Sequence, residues 1–186
     1  MMEKVALLLI DIQKDFCEDT SIGSKENRRI IPYVIKVLEN CREKKIPIIH
    51  IRWMVHKDVD TMPIRRRERN QTDWCRDNEG AGSADEGLEI GDEEYLVIKT
   101  TYSGFHETNL DGLLKKLGVK TLILTGISSH NCVFATAFDA TFRGYRVIVP
   151  KECVASKRSI SYEEALRNVD ENIGEVISLK KLLGML

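Results

Sequence analysis

The segment Thr121-Leu-Ile-Leu-Thr-Gly126-Ile-Ser-Ser-His-Asn-Cys132-Val-Phe-Ala-Thr-Ala-Phe-Asp-Ala-Thr-Phe-Arg-Gly144 is the most informative about the fold. Its apolar run from Leu122 to Leu124 is typical of a buried parallel strand. A polar turn opened by Gly126 follows, and then a helical pattern begins. The residues on one face of that helix are Val133, Ala137, Ala140 and Thr141. Cys132 therefore lies where the carboxyl end of a strand leads into a helix.

The position of Cys132 suits a nucleophile. The first N–H groups of a helix have no partner within the helix, and the positive end of the helix dipole lies there. A thiol at this point is biased towards thiolate, and the same N–H groups can hold a developing oxyanion. The alternative interpretation is that Cys132 is a small buried hydrophobic residue.

Length and composition indicate one soluble globular domain over residues 1–186. Of the 186 residues, 42% are hydrophobic and 31% are charged, and the formal net charge is −1. A charge near zero gives no reason to expect nucleic acid or an anionic membrane as a partner. The apolar run Val5 to Ile10 is too short for a membrane span or a signal peptide, so we expect a cytoplasmic protein.

The five cysteines are widely spaced and include no Cys-x-x-Cys pair. A disulfide framework or a thiolate zinc site is therefore not expected, and at least one thiol should be free.

Short apolar runs alternate with helical patterns along most of the chain. The first run, Val5 to Ile10, ends at Asp11, and no Gly-x-Gly-x-x-Gly turn follows it, which argues against a dinucleotide site. A helix is predicted from about Glu26 to Lys44, and Ser161 with Glu164 has the spacing of a capping box at the start of the last main helix. This alternation predicts an α/β protein, a parallel sheet covered on both faces by helices.

Three chemically active side chains follow predicted strands. Asp11, Lys99 and Cys132 each lie at a strand's carboxyl end, and these ends share one edge of a parallel sheet. Together they make a workable cysteine hydrolase, in which Asp11 takes the thiol proton. Lys99 is expected to lower the pKa of both Asp11 and Cys132. Taken alone, Asp11 could instead cap a turn, and Lys99 could face solvent.

Three motifs now resemble the isochorismatase-like cysteine hydrolase superfamily, which includes N-carbamoylsarcosine amidohydrolases and nicotinamidases. The first is Leu9-Ile-Asp-Ile-Gln13-Lys-Asp-Phe16, and the second is Lys99-Thr-Thr-Tyr-Ser-Gly-Phe105. The third begins at Thr125 and continues through Cys132 to Ala140. Their order and spacing fit over nearly the whole chain.

The resemblance implies a three-layer α/β/α fold, Rossmann-like, with a doubly wound six-stranded parallel sheet, usually as a homodimer or homotetramer. It implies a catalytic triad of Asp11, Lys99 and Cys132. It also implies a cis peptide bond before Ser128, whose N–H forms an oxyanion hole with that of Cys132. The expected reaction is hydrolysis of a small amide or carbamoyl compound through a thioester, without a cofactor.

Departures from the family's patterns narrow the expectation. Nicotinamidases carry an Asp-x-His…His metal site after the second strand, and this chain lacks that motif. We therefore expect no metal, although His50 and His56 invite the question, and a nicotinamidase-type deamidase remains an alternative. His130 replaces an Asn or Asp often found two positions before the cysteine. The candidate substrate contacts are Gln13, Phe16, Trp53, Phe105 and His130.

Two further hypotheses compete with an amidohydrolase. One is a non-catalytic small-molecule-binding protein that kept the fold, and the other is a redox-active thiol protein that uses Cys132. The stretch from Val55 to Leu88 has little apolar periodicity and is predicted to be mostly loop. Its arginine run, Arg65 to Arg67 with Arg69, is interpreted as solvated surface or as a contact for an anionic substrate or an acidic neighbouring subunit.

Overall fold

Parallel strands and helices alternate in the computed structural model, which describes residues 4–55, 62–76, 79–157 and 159–186. The strands are β1 (Val5–Ile10), β2 (Ile48–Trp53), β3 (Tyr95–Lys99), β4 (Thr121–Ile127), β5 (Arg146–Pro150), β6 (Val154–Ala155) and β7 (Glu175–Ile177). The helices are α1 (Ile31–Glu43), α2 (Ile64–Glu68), α3 (Leu110–Leu117), α4 (Cys132–Phe142), α5 (Ser159–Asn172) and α6 (Leu179–Met185).

The strands form one sheet in the order β3-β2-β1-β4-β5-β7. Every pairing between these strands is parallel, and the chain winds outward from the centre in both directions. The predicted doubly wound, six-stranded parallel sheet is therefore confirmed. A seventh strand, β6, pairs with β4 and was not predicted. It has only two residues, too few to show any periodicity.

The centre of the sheet is β1, which lies between β2 and β4. Ala6, Leu7, Leu8 and Ile10 are all fully buried. Each large apolar side chain of this kind contributes about 1.5–3 kcal/mol when it leaves water. A continuous apolar run is what a strand covered on both faces requires.

Gly126 lies inside β4, so the prediction that it opens the turn is wrong. Its φ is 122°, and a Cβ placed there would lie 1.9 Å from the carbonyl oxygen of Ile10. Only glycine allows β1 and β4 to approach this closely, beside the first predicted catalytic residue, Asp11. The register pairs Ile10 with Gly126, next to Asp11.

Helix boundaries follow local signals at some ends only. Gly118 takes a left-handed conformation and ends α3, as predicted. The first predicted helix is split, because Lys25–Ile30 forms a 3-10 helix before α1 begins at Ile31. α5 begins at Ser159, so the predicted cap at Ser161 is wrong. Capping-box spacing also occurs by chance inside a first helical turn.

No helix in the described ranges is long and apolar enough to cross a membrane.

Candidate active site

The three predicted catalytic side chains meet at the carboxyl edge of the sheet. Asp11 follows β1, Lys99 ends β3 and Cys132 begins α4 directly after the β4 turn. The Lys99 Nζ lies 2.7 Å from Asp11 Oδ2, and both side chains are 0% exposed. The Cys132 thiol lies close enough for the charges of Asp11 and Lys99 to act on its pKa, the first raising it and the second lowering it. The geometry therefore brings a carboxylate, an ammonium and a thiol into one buried cluster.

Asp11 adopts an unusual backbone conformation that turns the chain out of β1. Its φ is 52°, and its N–H donates to the carbonyl of Ile51 at 2.9 Å. Non-glycine residues rarely take this left-handed conformation, although aspartate tolerates it better than most. Such residues concentrate at functional sites, where the surrounding structure holds them in place.

Lys99 reaches the centre of the cluster from β3, two strands away from β1. Its Nζ lies 4.1 Å from the ring centroid of Trp53, a cation–π distance. It also donates to the carbonyl of Thr101 at 3.0 Å. The buried ammonium thus has a carboxylate, a carbonyl and an aromatic face as partners, which a buried cation needs.

The loop that follows Lys99 is fastened to α4. The N–H of Gly104 donates to Thr136 Oγ1 at 3.0 Å, and the Ser103 hydroxyl donates to the Asp139 carboxylate. Thr136 Oγ1 in turn donates to the carbonyl of Cys132 at 2.7 Å. These contacts set the position of the lysine relative to the thiol.

Burial, more than Lys99, controls the acidity of the site. Loss of solvent raises the pKa of Asp11 despite the neighbouring ammonium. It also raises the pKa of the Cys132 thiol, and the charge of Asp11 raises that pKa further. Lys99 does lower both pKa values, as expected, but burial outweighs it, so the predicted net bias of Cys132 towards thiolate is wrong. The Lys99 ammonium compensates only one negative charge. When Asp11 or Cys132 is ionised, loss of the proton on the other would create a second, uncompensated charge, so that proton is hard to remove.

Two backbone N–H groups beside the thiol are available to a ligand. The peptide bond between Ile127 and Ser128 is cis. Within the described ranges, neither the Ser128 N–H nor the Cys132 N–H donates to an acceptor of the chain. The Ser128 carbonyl, by contrast, accepts from Asn131 and Val133. Free N–H donors next to a nucleophile are the ingredients of an oxyanion hole.

The imidazole of His130 contacts the same turn. Its Nδ1 lies 2.8 Å from Ser128 Oγ and 2.6 Å from Ser156 Oγ. Ser156 follows β6, the strand that sequence periodicity does not reveal. His130 thus connects the turn before Cys132 to the segment after β6.

A cavity of about 380 Å³ opens above Cys132. Its aromatic wall consists of Phe16, Trp53, Trp74 and Tyr102, whose rings pack edge to face. His130 also borders it, so three of the five predicted contact residues, Phe16, Trp53 and His130, line the cavity.

Gln13 and Phe105 lie elsewhere. Phe105 is buried behind the site, where its ring stacks on Tyr145 and lies under the Arg143 guanidinium. It follows Lys99 closely in sequence, but the preceding residue, Gly104, packs so close to Ile51 that an added Cβ would lie 2.8 Å from Ile51 Cδ1. The interpretation of Phe105 as a pocket wall is therefore not supported by its position.

Gln13 is fully buried, and its side chain is used within the fold. Its Nε2 donates to the carbonyls of Trp53 and Ala81, both at 2.9 Å, and its Oε1 accepts from the Trp53 N–H at 2.8 Å. These bonds hold Trp53 over Lys99 and occupy both N–H groups of the Gln13 amide, which favours a positioning role over a substrate contact.

Replacing Gln13 with methionine should lower the free energy of unfolding by about 1–3 kcal/mol, because buried backbone groups at Trp53 and Ala81 lose their partners. Urea unfolding measures this change. Lys14→Met, at the exposed neighbouring position, serves as control and should unfold like the wild type. Equal stability of both variants would contradict the positioning role.

The described residues do not assemble a metal site. No three His, Cys, Asp or Glu side chains come together there in a way that could hold an ion. His50 lies in β2, and its Nε2 lies 2.6 Å from Glu94, which also pairs with Arg42. His56 lies outside the described residues. The donors within the described ranges therefore do not fit a metal, and no step below depends on one.

Several cavity residues were missed by sequence reasoning. They are Asn27, Trp74, Tyr102, Lys157 and Ser161. Tyr102 follows Lys99 in the second motif, so its proximity could have been read from that loop. The others come from distant segments, and no pattern within the sequence links them.

Comparison with known proteins agrees with this geometry. The family model of the isochorismatase domain matches residues 5–181. An uncharacterized isochorismatase family protein of Bacillus subtilis, YaaI, is 33% identical over 162 residues, which cover 87% of this chain and 86% of that protein.

The names of two other similar proteins contain the words nicotinamidase and pyrazinamidase. A probable inactive nicotinamidase of Arabidopsis thaliana is 34% identical over 150 residues, which cover 75% of this chain and 74% of that protein. The zinc-complexed pyrazinamidase of Pyrococcus horikoshii superposes with a TM-score of 0.83 at 26% identity, covering 94% of this chain and 99% of that one. The family model covers nearly the full length of the chain, and YaaI is 33% identical over 87% of it. The chain therefore belongs to the isochorismatase family, hydrolases that include enzymes acting on non-peptide C–N bonds.

Proposed function

We propose that this protein is a cysteine-dependent amidohydrolase that cleaves a small amide or carbamoyl compound through a thioester on Cys132. The observation that carries the proposal is the buried Asp11–Lys99–Cys132 cluster beneath a small cavity. The cavity volume of about 380 Å³ lies in the lower part of the range for small-molecule sites.

In the first half-reaction, Asp11 takes the proton of the thiol as sulfur attacks the carbonyl carbon. The N–H groups of Ser128 and Cys132 hold the oxyanion that forms. Asp11 then gives the proton to the amide nitrogen, the C–N bond breaks, and ammonia leaves. Lys99 keeps the cluster neutral throughout, because the negative charge only moves between carboxylate, sulfur and oxyanion.

In the second half-reaction, Asp11 accepts a proton from water, and the hydroxide attacks the thioester. The C–S bond breaks, the thiol regains a proton from Asp11, and a carboxylic acid leaves (or a carbamic acid, if the substrate is a carbamoyl compound). The sum is amide plus water giving acid plus ammonia. The enzyme returns to its starting protonation state, and no further reactant is needed.

The pH profile of kcat/KM should show a broad plateau with both limbs shifted upward. Activity falls on the acid side as Asp11 becomes protonated, and burial raises the pKa of that carboxyl above the ordinary aspartate range. It falls on the alkaline side when the proton shared by Asp11 and Cys132 is lost, and burial also raises the pKa of the thiol. Steady-state rates from about pH 4 to about pH 10 measure the acid limb, and the plateau should extend to the alkaline end of that range. An acid limb at the ordinary aspartate pKa would contradict the assignment of Asp11.

The proposed function is tested by ammonia release from a panel that includes nicotinamide, N-carbamoylglycine, ureidoacrylate and biuret. A productive compound should also leave a transient acyl mass on the peptide that contains Cys132 after an acid quench. Turnover without any Cys132 adduct would argue against the thioester route, and binding without turnover would favour a non-catalytic binding protein. Including nicotinamide tests the nicotinamidase alternative directly.

A further inference from the structure

The cavity above Cys132 is lined by three basic side chains. They are Arg66, Arg69 and Lys157. The described lining contains no acidic residue, and the buried Asp11 below it is already compensated by Lys99. The cavity therefore carries a positive charge that the described part of the chain does not neutralise.

Arg66 is the best placed of these three. It is partly buried, and its Nε donates to the Tyr102 hydroxyl at 3.2 Å, while its Nη1 donates to Gln71 Oε1 at 2.8 Å. Both partners are neutral, so they orient the guanidinium without cancelling its charge. A guanidinium has five N–H donors in a planar fork, and these two bonds leave the others for a ligand.

The arginine run divides into two chemically different parts. Arg65, one residue earlier, forms an exposed ion pair with Glu68 at 2.9 Å. Arg69 and Lys157 lie at the cavity mouth. Within the described ranges neither forms an ion pair, although the Lys157 ammonium donates to the Thr20 carbonyl. The interpretation as solvated surface therefore fits Arg65, whereas Arg66 is partly buried, and both Arg66 and the exposed Arg69 line the cavity.

From this arrangement, and resting on the proposed amidohydrolase function, we infer that the substrate is a small amide that also carries a carboxylate, with Arg66 binding that carboxylate. Paired N–H donors of a guanidinium match the two oxygens of a carboxylate. Arg69 and Lys157 add positive potential at the mouth, which raises the local concentration of anions. The aromatic wall packs against the body of the substrate and leaves its amide carbon above Cys132.

Matched pairs of compounds test the inference. Succinamate is compared with succinamide, glutaramate with glutaramide, and N-carbamoylglycine with its neutral amide. In at least one pair, kcat/KM for the anion should exceed that for the neutral compound by about 10-fold or more. The preference should weaken as salt is added. A preference for the neutral compound in every pair would overturn the inference.

Variants of two adjacent arginines supply the second readout. Arg66→Met should lower kcat/KM for the preferred anion by about 10- to 100-fold, mainly through KM, and change the neutral partner by less than about 3-fold. Arg66→Lys keeps the charge without the fork and should recover part of the loss. Arg65→Met should match the wild type. An equal loss on both compounds in Arg66→Met would show a structural effect and contradict the inference.

Failure of the proposed function is distinguishable from failure of this inference. Cys132-dependent turnover of neutral amides alone would leave the amidohydrolase standing and remove the carboxylate site. If no compound releases ammonia, calorimetry of the same anions with the wild type and Arg66→Met decides. Binding that depends on Arg66 would support the site and count against catalysis, and its absence would overturn the site.

Discussion

Replacement of Cys132 with alanine is expected to lower kcat by about 10⁴-fold or more, because the bond-forming atom is lost. Substrate binding should persist, since the aromatic wall and the basic side chains of the cavity do not include the thiol. Ammonia release measures turnover, and calorimetry on the same variant measures binding.

Cys41→Ala provides the matched control for this substitution. Cys41 is another fully buried free thiol, but it lies in α1 outside the cavity. It should lose some stability through the small space left behind while kcat stays within about 3-fold of the wild type. Turnover by Cys132→Ala close to that of Cys41→Ala would refute the nucleophile assignment.

The Asp11–Lys99 pair should dominate both stability and activity. Asp11→Asn leaves the Lys99 ammonium buried without its carboxylate, and breaking such a pair costs about 3–5 kcal/mol. The double variant Asp11→Asn/Lys99→Met removes both charges, so it should recover much of that loss while remaining inactive. Urea unfolding and ammonia release measure the two properties separately.

Lys99→Met should differ from Asp11→Asn in its pH dependence. The remaining carboxyl can bind a proton, and burial already raises its pKa in the folded protein. Its folded pKa then exceeds the unfolded value of about 3.9, so the stability of this variant should fall as pH rises between the two. Acidification from about pH 7 to about pH 5 should therefore reduce the difference in the free energy of unfolding between Lys99→Met and the wild type.

A surface pair of the same length serves as the control for burial. Lys115 and Asp111 are also 2.7 Å apart, but their side chains are 68% and 30% exposed. Lys115→Met should cost at most about 1 kcal/mol. A cost equal to that of Asp11→Asn would show that burial is not what makes the catalytic pair so sensitive.

Particular residues show how far sequence reasoning reaches. The strand preceding Asp11 could be read because a run of large apolar residues has few alternatives to a buried strand. The end of α3 could be read because Gly118 adopts a conformation that other residues avoid. β6 and the start of α5 could not be read, since a two-residue strand and a chance capping pattern carry too little local information.

The candidate site divides in the same way. Phe16 and Trp53 line the cavity as predicted. Phe105 does not line it, and nothing in the local sequence reveals that its ring stacks on Tyr145 behind the site. Gln13 was identified as a contact residue, yet its hydrogen bonds hold Trp53 instead. Such a bond joins positions 40 residues apart, and no local pattern encodes it.

By itself, the sequence determined the parallel sheet and the meeting of Asp11, Lys99 and Cys132, because parallel strands place their carboxyl ends at one edge. The acidity of that cluster and the charge of the cavity above it could not be predicted from the sequence. Acidity depends on how completely the surrounding chain excludes water, and here burial outweighs the nearby ammonium. The cavity's charge depends on Arg66, Arg69 and Lys157, and only long-range packing brings the arginine run to the same opening as Lys157 and the thiol.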